Sequence, residues 1–271
     1  MMKRNIIMTA LGITLLLGVV SPVRAGFGKT PVMRCPRDAV VAGTVCLDKY
    51  EATVWRVPNP TTTNVGLVKK IQKGTASAAD LTAGGATQLG TASDDYAPCT
   101  ENGQNCTNDI FAVSLPSETP SANITWFQAQ EACGNAAKRL PTSAEWQVGA
   151  NGTPDPGPDD GATDCNTFNL FTVAPTGSRS SCVSVRGAFD MVGNLYEWVA
   201  DWVPRSTGCP GWGGFSNDNM CLSGASTTAN GPGALLRGGD FGHGTAAGPF
   251  TASASFGPSV FGPSVGFRCA R

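Results

Sequence analysis

Residues 123–152 read NITWFQAQEACGNAAKRLPTSAEWQVGANG, and two helix starts stand out in them. Thr125 is followed three residues later by Gln128, the spacing at which an N-cap hydroxyl and the side chain at the third helical position satisfy each other's free backbone amides. Behind that cap, Trp126, Ala129, Cys133 and Ala137 recur at helical spacing and define one apolar face. Thr142 and Glu145 repeat the cap, Trp146 and Val148 to Ala150 form an apolar patch, and Gly152 provides the stop. A strand follows in GAFDMVGNLYEWVADW (187–202), where Tyr196, Trp198, Ala200 and Trp202 alternate with Leu195, Glu197, Val199 and Asp201. Two helices packed on a sheet with a bulky aromatic face make an α+β domain.

Outward from this centre, the composition narrows the function. The chain has 271 residues with Lys+Arg 19 and Asp+Glu 20, and no basic cluster after the N-terminal leader. That charge balance offers no electrostatic footprint for nucleic acid. Lys3 and Arg4 precede an apolar run from Ile6 to Val20, and Val23 and Ala25 stand before Gly26. This is the layout of a secretory signal peptide, residues 1–25, cleaved after Ala25. The run is short for a spanning helix, no second apolar segment follows, and no cysteine sits at the cleavage point to carry a lipid. The expectation is a single exported domain, 26–271, periplasmic or extracellular, with no membrane span.

Ten cysteines, at 35, 46, 99, 106, 133, 165, 182, 209, 221 and 269, suit an oxidising compartment. A zinc site would need closely paired cysteines or several histidines, and the chain has one histidine and no C-x-x-C. Local bridges fit 35 with 46, 99 with 106, 165 with 182 and 209 with 221, leaving 133 and 269, although sequence alone leaves the connectivity open. From about residue 58 to 120 the chain is rich in Thr, Ser, Ala, Gly, Asn and Asp, which reads as a long surface excursion. The acidic stretch 151–164 carries Asp155, Asp159, Asp160 and Asp164 without calcium-loop spacing, which reads as a solvated turn.

Five segments, CLDKYEATVW (46–55), 123–152, 187–202, LLRGGDF (235–241) and GFRCAR (266–271), resemble in order the sulfatase-modifying-factor or formylglycine-generating-enzyme domain family. The resemblance implies a C-type-lectin-like fold, loop-rich with short strands, and a Cys133–Cys269 disulfide. It also implies a copper-dependent oxidase that turns a substrate cysteine into formylglycine using two cysteines between RGG and GFRC. No cysteine lies between Arg237 and Cys269, and an ungapped count places the two family cysteines at His243 and Gly248. Copper and its oxidase chemistry are therefore not expected, because soft thiolates are what would hold Cu(I). Sulfoxide synthases of the superfamily use three histidines on iron, which His243 alone does not supply. Nor is there sequence evidence of a nucleophile and carboxylate positioned about His243 as a hydrolytic triad. Calcium in this family is bound around a GN-x-x-E segment, here Gly193, Asn194, Leu195 and Glu197. The alternative is that Asn194 shapes a turn and Glu197 pairs within the sheet. A second family calcium site would start at Asn166 but lacks its downstream acid.

One subgroup that resembles this chain keeps the frame without the cysteines: the variable proteins of diversity-generating retroelements. Their C-terminal segment is rewritten by adenine mutagenesis, which converts Asn codons to many residues but never to Lys, Glu, Gln, Met or Trp. None of those five occurs from Gly238 to Phe267. The expectation is a non-catalytic binding protein that meets a protein or cell-surface ligand through residues 238–267, with varying positions at Asp240, Gly242, His243, Ala246, Ser253, Ser255, Phe256, Val260 and Phe261. Two readings compete with it: a formylglycine-generating-type oxidoreductase with altered chemistry acting on protein cysteine, and a plain connection in which Phe256 and Phe261 fill the core.

Overall fold

In the computed structural model, which describes residues 33–155 and 159–271, the chain opens with the hairpin of β1 (Ala39–Ala42) and β2 (Val45–Asp48). Gly43 takes the left-handed conformation that this two-residue turn requires. The expected signal peptide, residues 1–25, lies outside the described residues. Next come β3 (Ala52–Arg56), α1 (Val65–Gln72), α2 (Ala78–Ala83), β4 (Thr87–Leu89) and β5 (Ile110–Ser114). Strand β3 lies between β4 and β5 in an antiparallel sheet.

Residues 58–120 thus form much more than the surface excursion expected from their composition. Leu67 and Ile71 of α1 and Leu81 of α2 are buried against Trp55, Val57, Phe111 and Val113. Ser77 and Asp80 build a complete capping box on α2. Each helix contributes only one or two large apolar residues, so the periodicity is too short to read, and the core is completed by the sheet.

The two helices expected from the sequence follow as α3 (Trp126–Asn135) and α4 (Ser143–Ala150), each with both halves of its capping box formed. Among the described residues there are therefore four α-helices where two were expected. Ala129, Ala132 and Cys133 of α3 enter the core, whereas Ala137 lies past the helix end, exposed, with φ 56°. Trp146 of α4 is fully buried and Val148 is exposed. An added Cβ at Gly149 would overlap Leu47, so glycine lets α4 close onto β2.

The second sheet orders its strands β10-β6-β8-β9-β7, with β6 (Tyr196–Pro204), β7 (Met220–Cys221), β8 (Pro232–Arg237), β9 (Ala252–Ser253) and β10 (Val265–Phe267). The aromatic strand is β6. Its first half is buried on both faces, with the Trp198 indole N–H donating to the Ile124 carbonyl at 3.0 Å. Trp202 lies farther along, partly exposed, edge-on to Trp126 and Phe127.

All ten cysteines are bridged, as 35–46, 99–106, 133–269, 165–182 and 209–221. The 133–269 bond joins α3 to the residue two beyond β10. Next to Cys269 in the chain is one half of a buried ion pair: the Arg268 guanidinium donates to Glu197 at 2.7 Å and to the Phe189 carbonyl at 2.9 Å. Both side chains are essentially inaccessible, so the hydrogen bonds have to offset a large desolvation cost.

Candidate functional site

The turn after β8 and the ends of β6, β7, β9 and β10 enclose a cleft of about 260 Å³. It gathers five of the nine residues singled out in the C-terminal segment: Asp240, His243, Ser253, Ser255 and Phe256. Asp240 directs one carboxylate oxygen at the His243 Nδ1 atom, 2.7 Å away, and the same oxygen accepts the Gly242 amide at 2.8 Å. The opposite ring nitrogen of His243, Nε2, is 3.1 Å from the Tyr196 hydroxyl. That hydroxyl in turn accepts from the Asn219 side-chain amide at 3.1 Å. An Asp240–His243–Tyr196–Asn219 chain therefore fixes the imidazole between an acceptor and a hydroxyl.

Burial pushes the Asp240 carboxyl up, but the hydrogen bond and charge of His243, the Gly242 amide and the Ser264 hydroxyl together hold it below the usual carboxylate range. The Tyr196 hydroxyl is pushed up to about 12, first by burial and further by the Asp240 charge, against the Asn219 hydrogen bond. A phenol so shifted is neutral near neutral pH and serves there as a hydrogen-bonding group. The site can orient a polar ligand. It also carries an aromatic face at Phe256, which is 38% exposed.

The other four singled-out positions stand apart from this wall. Gly242 is exposed and supplies its amide to Asp240, and the Ala246 carbonyl accepts from the Asn219 backbone amide at 2.9 Å. Val260 and Phe261 lie on the neighbouring turn before β10, with Phe261 43% exposed. Neither Phe256 nor Phe261 fills the core. Sequence reasoning missed Tyr196, Asn219, Ser264 and the Cys209–Cys221 bridge as cleft residues. Tyr196 had a signal as the first aromatic of β6, but nothing local tells which end of a strand faces a cleft.

The positions matched to the family's reactive cysteines carry no thiol. His243 occupies the first. At the second, Gly248 is buried, and an added Cβ would stand closer than 3.0 Å to the Asp218 carboxylate, so Asp218 fills the space a side chain would need. With every cysteine in a disulfide, no thiolate pair exists to hold copper, and no step through copper follows from these residues.

The Asn194 and Glu197 side chains, expected as calcium ligands or as a turn and a pair, are engaged within the protein. The Asn194 amide oxygen accepts from Asn166 at 3.0 Å and from the Ala174 amide at 2.8 Å, while its nitrogen donates to Glu51. Glu197 receives the Trp146 indole N–H at 2.7 Å besides Arg268. These side-chain oxygens are committed to protein donors: Asn194, in the left-handed region at φ 58°, shapes a turn, and Glu197 pairs with Arg268. Asp159, expected in a solvated turn, is instead buried, and its carboxylate accepts the backbone amides of Gly161, Thr167, Phe168 and Asn169. It shapes the loop that leads to Asn166. Among the described residues no group of three or more His, Cys, Asp or Glu is arranged to hold a metal ion.

Residues 87–271 match the family described as sulfatase-modifying factor enzyme 1-like domain, and the chain belongs to that family. It is 36% identical over 89 residues to the serine/threonine-protein kinase Pkn1 of Chlamydia trachomatis serovar L2, a match covering 31% of this chain and 14% of the kinase. It is 31% identical over 101 residues to the formylglycine-generating enzyme of Thermomonospora curvata, covering 31% of this chain and 33% of the enzyme. These matches span well under half the length of either relative. Among solved structures, the major tropism determinant I1 variant aligns with 87% of this chain and 52% of its own, at 19% identity and a TM-score of 0.48.

Proposed function

We propose that this member of the sulfatase-modifying factor family is an exported, non-catalytic binding protein, cleaved after Ala25, that recognises a protein or cell-surface ligand through residues 238–267. The observation that carries the reading is the cleft. Five residues of one C-terminal segment converge on it, while both positions matched to the reactive cysteines lack a thiol. Disulfides and the buried Arg268–Glu197 pair hold the frame, so exposed side chains in the segment vary without unfolding it. The freedom of 238–267 from Lys, Glu, Gln, Met and Trp supports diversification by a retroelement.

The test is saturable binding of the purified mature chain to intact bacterial cells, compared with a triple variant, Asp240→Ala, His243→Ala and Phe256→Ala. Loss of binding at unchanged melting temperature supports the reading, and equal binding overturns it. Formation of aldehyde from a cysteine-bearing sulfatase peptide in the presence of copper would instead establish the oxidoreductase alternative. Flanking DNA with neither a reverse transcriptase nor an adenine-bearing near-copy of the 3′ end removes diversification from the proposal.

A further inference from the structure

A second cavity, of about 370 Å³, shares no residue with the cleft at His243. It is bounded by the turn after β2, the loop from Gly74 to Ala78 between α1 and α2, and the end of β5. We propose that this cavity binds a small organic anion, with Lys49 and Arg37 receiving its carboxylate or phosphate and Tyr50 and Leu115 supporting an apolar, flat body.

The charge count argues for an anion. Asp38 is shared by Lys138 at 3.0 Å and Arg271 at 3.4 Å, and Asp48 is taken by Lys138 at 2.7 Å. Arg37 and Lys49 have no carboxylate within ion-pair distance among the described residues, since neither figures in any of the ion pairs there. The wall itself carries the cations Arg37 and Lys49 against one carboxylate, Asp38, which Lys138 and Arg271 already hold. The surplus of positive charge contrasts with a chain whose formal net charge is −1.

Lys49 is also held in place. Its backbone amide donates to the Asp38 carbonyl at 2.8 Å and its own carbonyl accepts from Phe189 at 2.9 Å. The ammonium stands 5.6 Å from the ring centroids of both Tyr50 and Phe189, which stack on each other. Aromatic faces orient a cation without neutralising it. Tyr50 is in turn fixed by its backbone amide, which donates to the Ser114 hydroxyl oxygen at 3.0 Å. Leu115 and Pro116 add an apolar wall. Unpaired cations beside an aromatic and aliphatic surface suit an amphiphilic anion better than a bare one, because the body buries area that inorganic phosphate lacks.

The experiment is isothermal titration of the full oxidised chain with phenyl phosphate, benzoate, inorganic phosphate and phenol. Saturable binding of phenyl phosphate, benzoate or both, about tenfold or more tighter than phosphate and phenol, is expected, and the tighter of the two identifies the anionic group. Lys49→Met and Arg37→Met should each weaken that binding about tenfold or more at unchanged melting temperature, whereas Asp240→Ala in the other cleft leaves it intact. No saturable binding up to about 10 mM, phenol binding as well as the anions, or unchanged affinity in both methionine variants overturns the site.

Discussion

Replacing Gly248 with alanine tests whether the space of the second family cysteine is truly taken. Gly248 is not among the glycines in the left-handed region, so alanine meets no backbone penalty there. Its Cβ would nevertheless overlap three atoms of Asp218, whose carboxylate is buried and accepts the Phe250 amide at 2.7 Å. To make room, the carboxylate has to leave that amide and its rotamer. A hydrogen bond to a charged group contributes about 1.5–3 kcal/mol and an off-rotamer side chain costs about 0.5–1.5 kcal/mol. Gly248→Ala should therefore destabilise by roughly 2–4 kcal/mol, lowering the melting temperature by about 5–15 °C for a domain of this size. Asp218→Ala alone leaves the Phe250 amide unpaired at a cost of about 1–3 kcal/mol. In the Asp218→Ala background the clash is gone, and adding Gly248→Ala should cost less than about 0.5 kcal/mol. Urea denaturation of the oxidised proteins closes the cycle. A coupling energy near zero, or a Gly248→Ala protein as stable as wild type, would refute the argument that Asp218 occupies this space.

Acid should stabilise the protein across a defined window. Burial, with the nearby Glu197 charge, pushes Asp190 up to about 7 against the Gly177 amide and the Arg268 and Arg179 charges, and burial with Asp190 and Glu197 pushes Glu51 well above its ordinary value. A carboxyl raised in the fold is protonated there while the unfolded chain stays ionised, so stability rises as pH falls from about 7 towards 4, by up to about 1.4 kcal/mol per unit for each group. Asp190→Asn should flatten that slope in denaturation curves between pH 5 and 8, and greater stability at pH 8 than at pH 5 would contradict the argument. Removing the 133–269 bridge with Cys133→Ala and Cys269→Ala frees a span of 136 residues, for which chain entropy gives about 5 kcal/mol. The loss should appear as a lower urea midpoint in the oxidised variant, and an unchanged midpoint would show that the bridge adds nothing to the buried Arg268 pair beside it.

Local chemistry made part of this molecule legible. Two capping boxes marked α3 and α4 because a hydroxyl and an amide or carboxylate three residues apart satisfy free amides in any helix. Alternation marked β6, and the spacing of the cysteines suggested the four short bridges, with 133 and 269 left over. The region from 58 to 120 was opaque for a physical reason. Its helices bury Leu67, Ile71 and Leu81 singly or in pairs, a pattern whose partners sit on β3 and β5.

The sequence by itself determined the frame and the absence of cysteine between Arg237 and Cys269. Only the tertiary structure decided how the segment between them is held. His243 acquires its partners from Asp240, three residues away, and from Tyr196 on the distant strand β6, whose hydroxyl Asn219 in turn holds. Gly248 is bare because Asp218, from another loop, fills the space beside it. Such constraints come from side chains brought together through space, and no local pattern of residues encodes them.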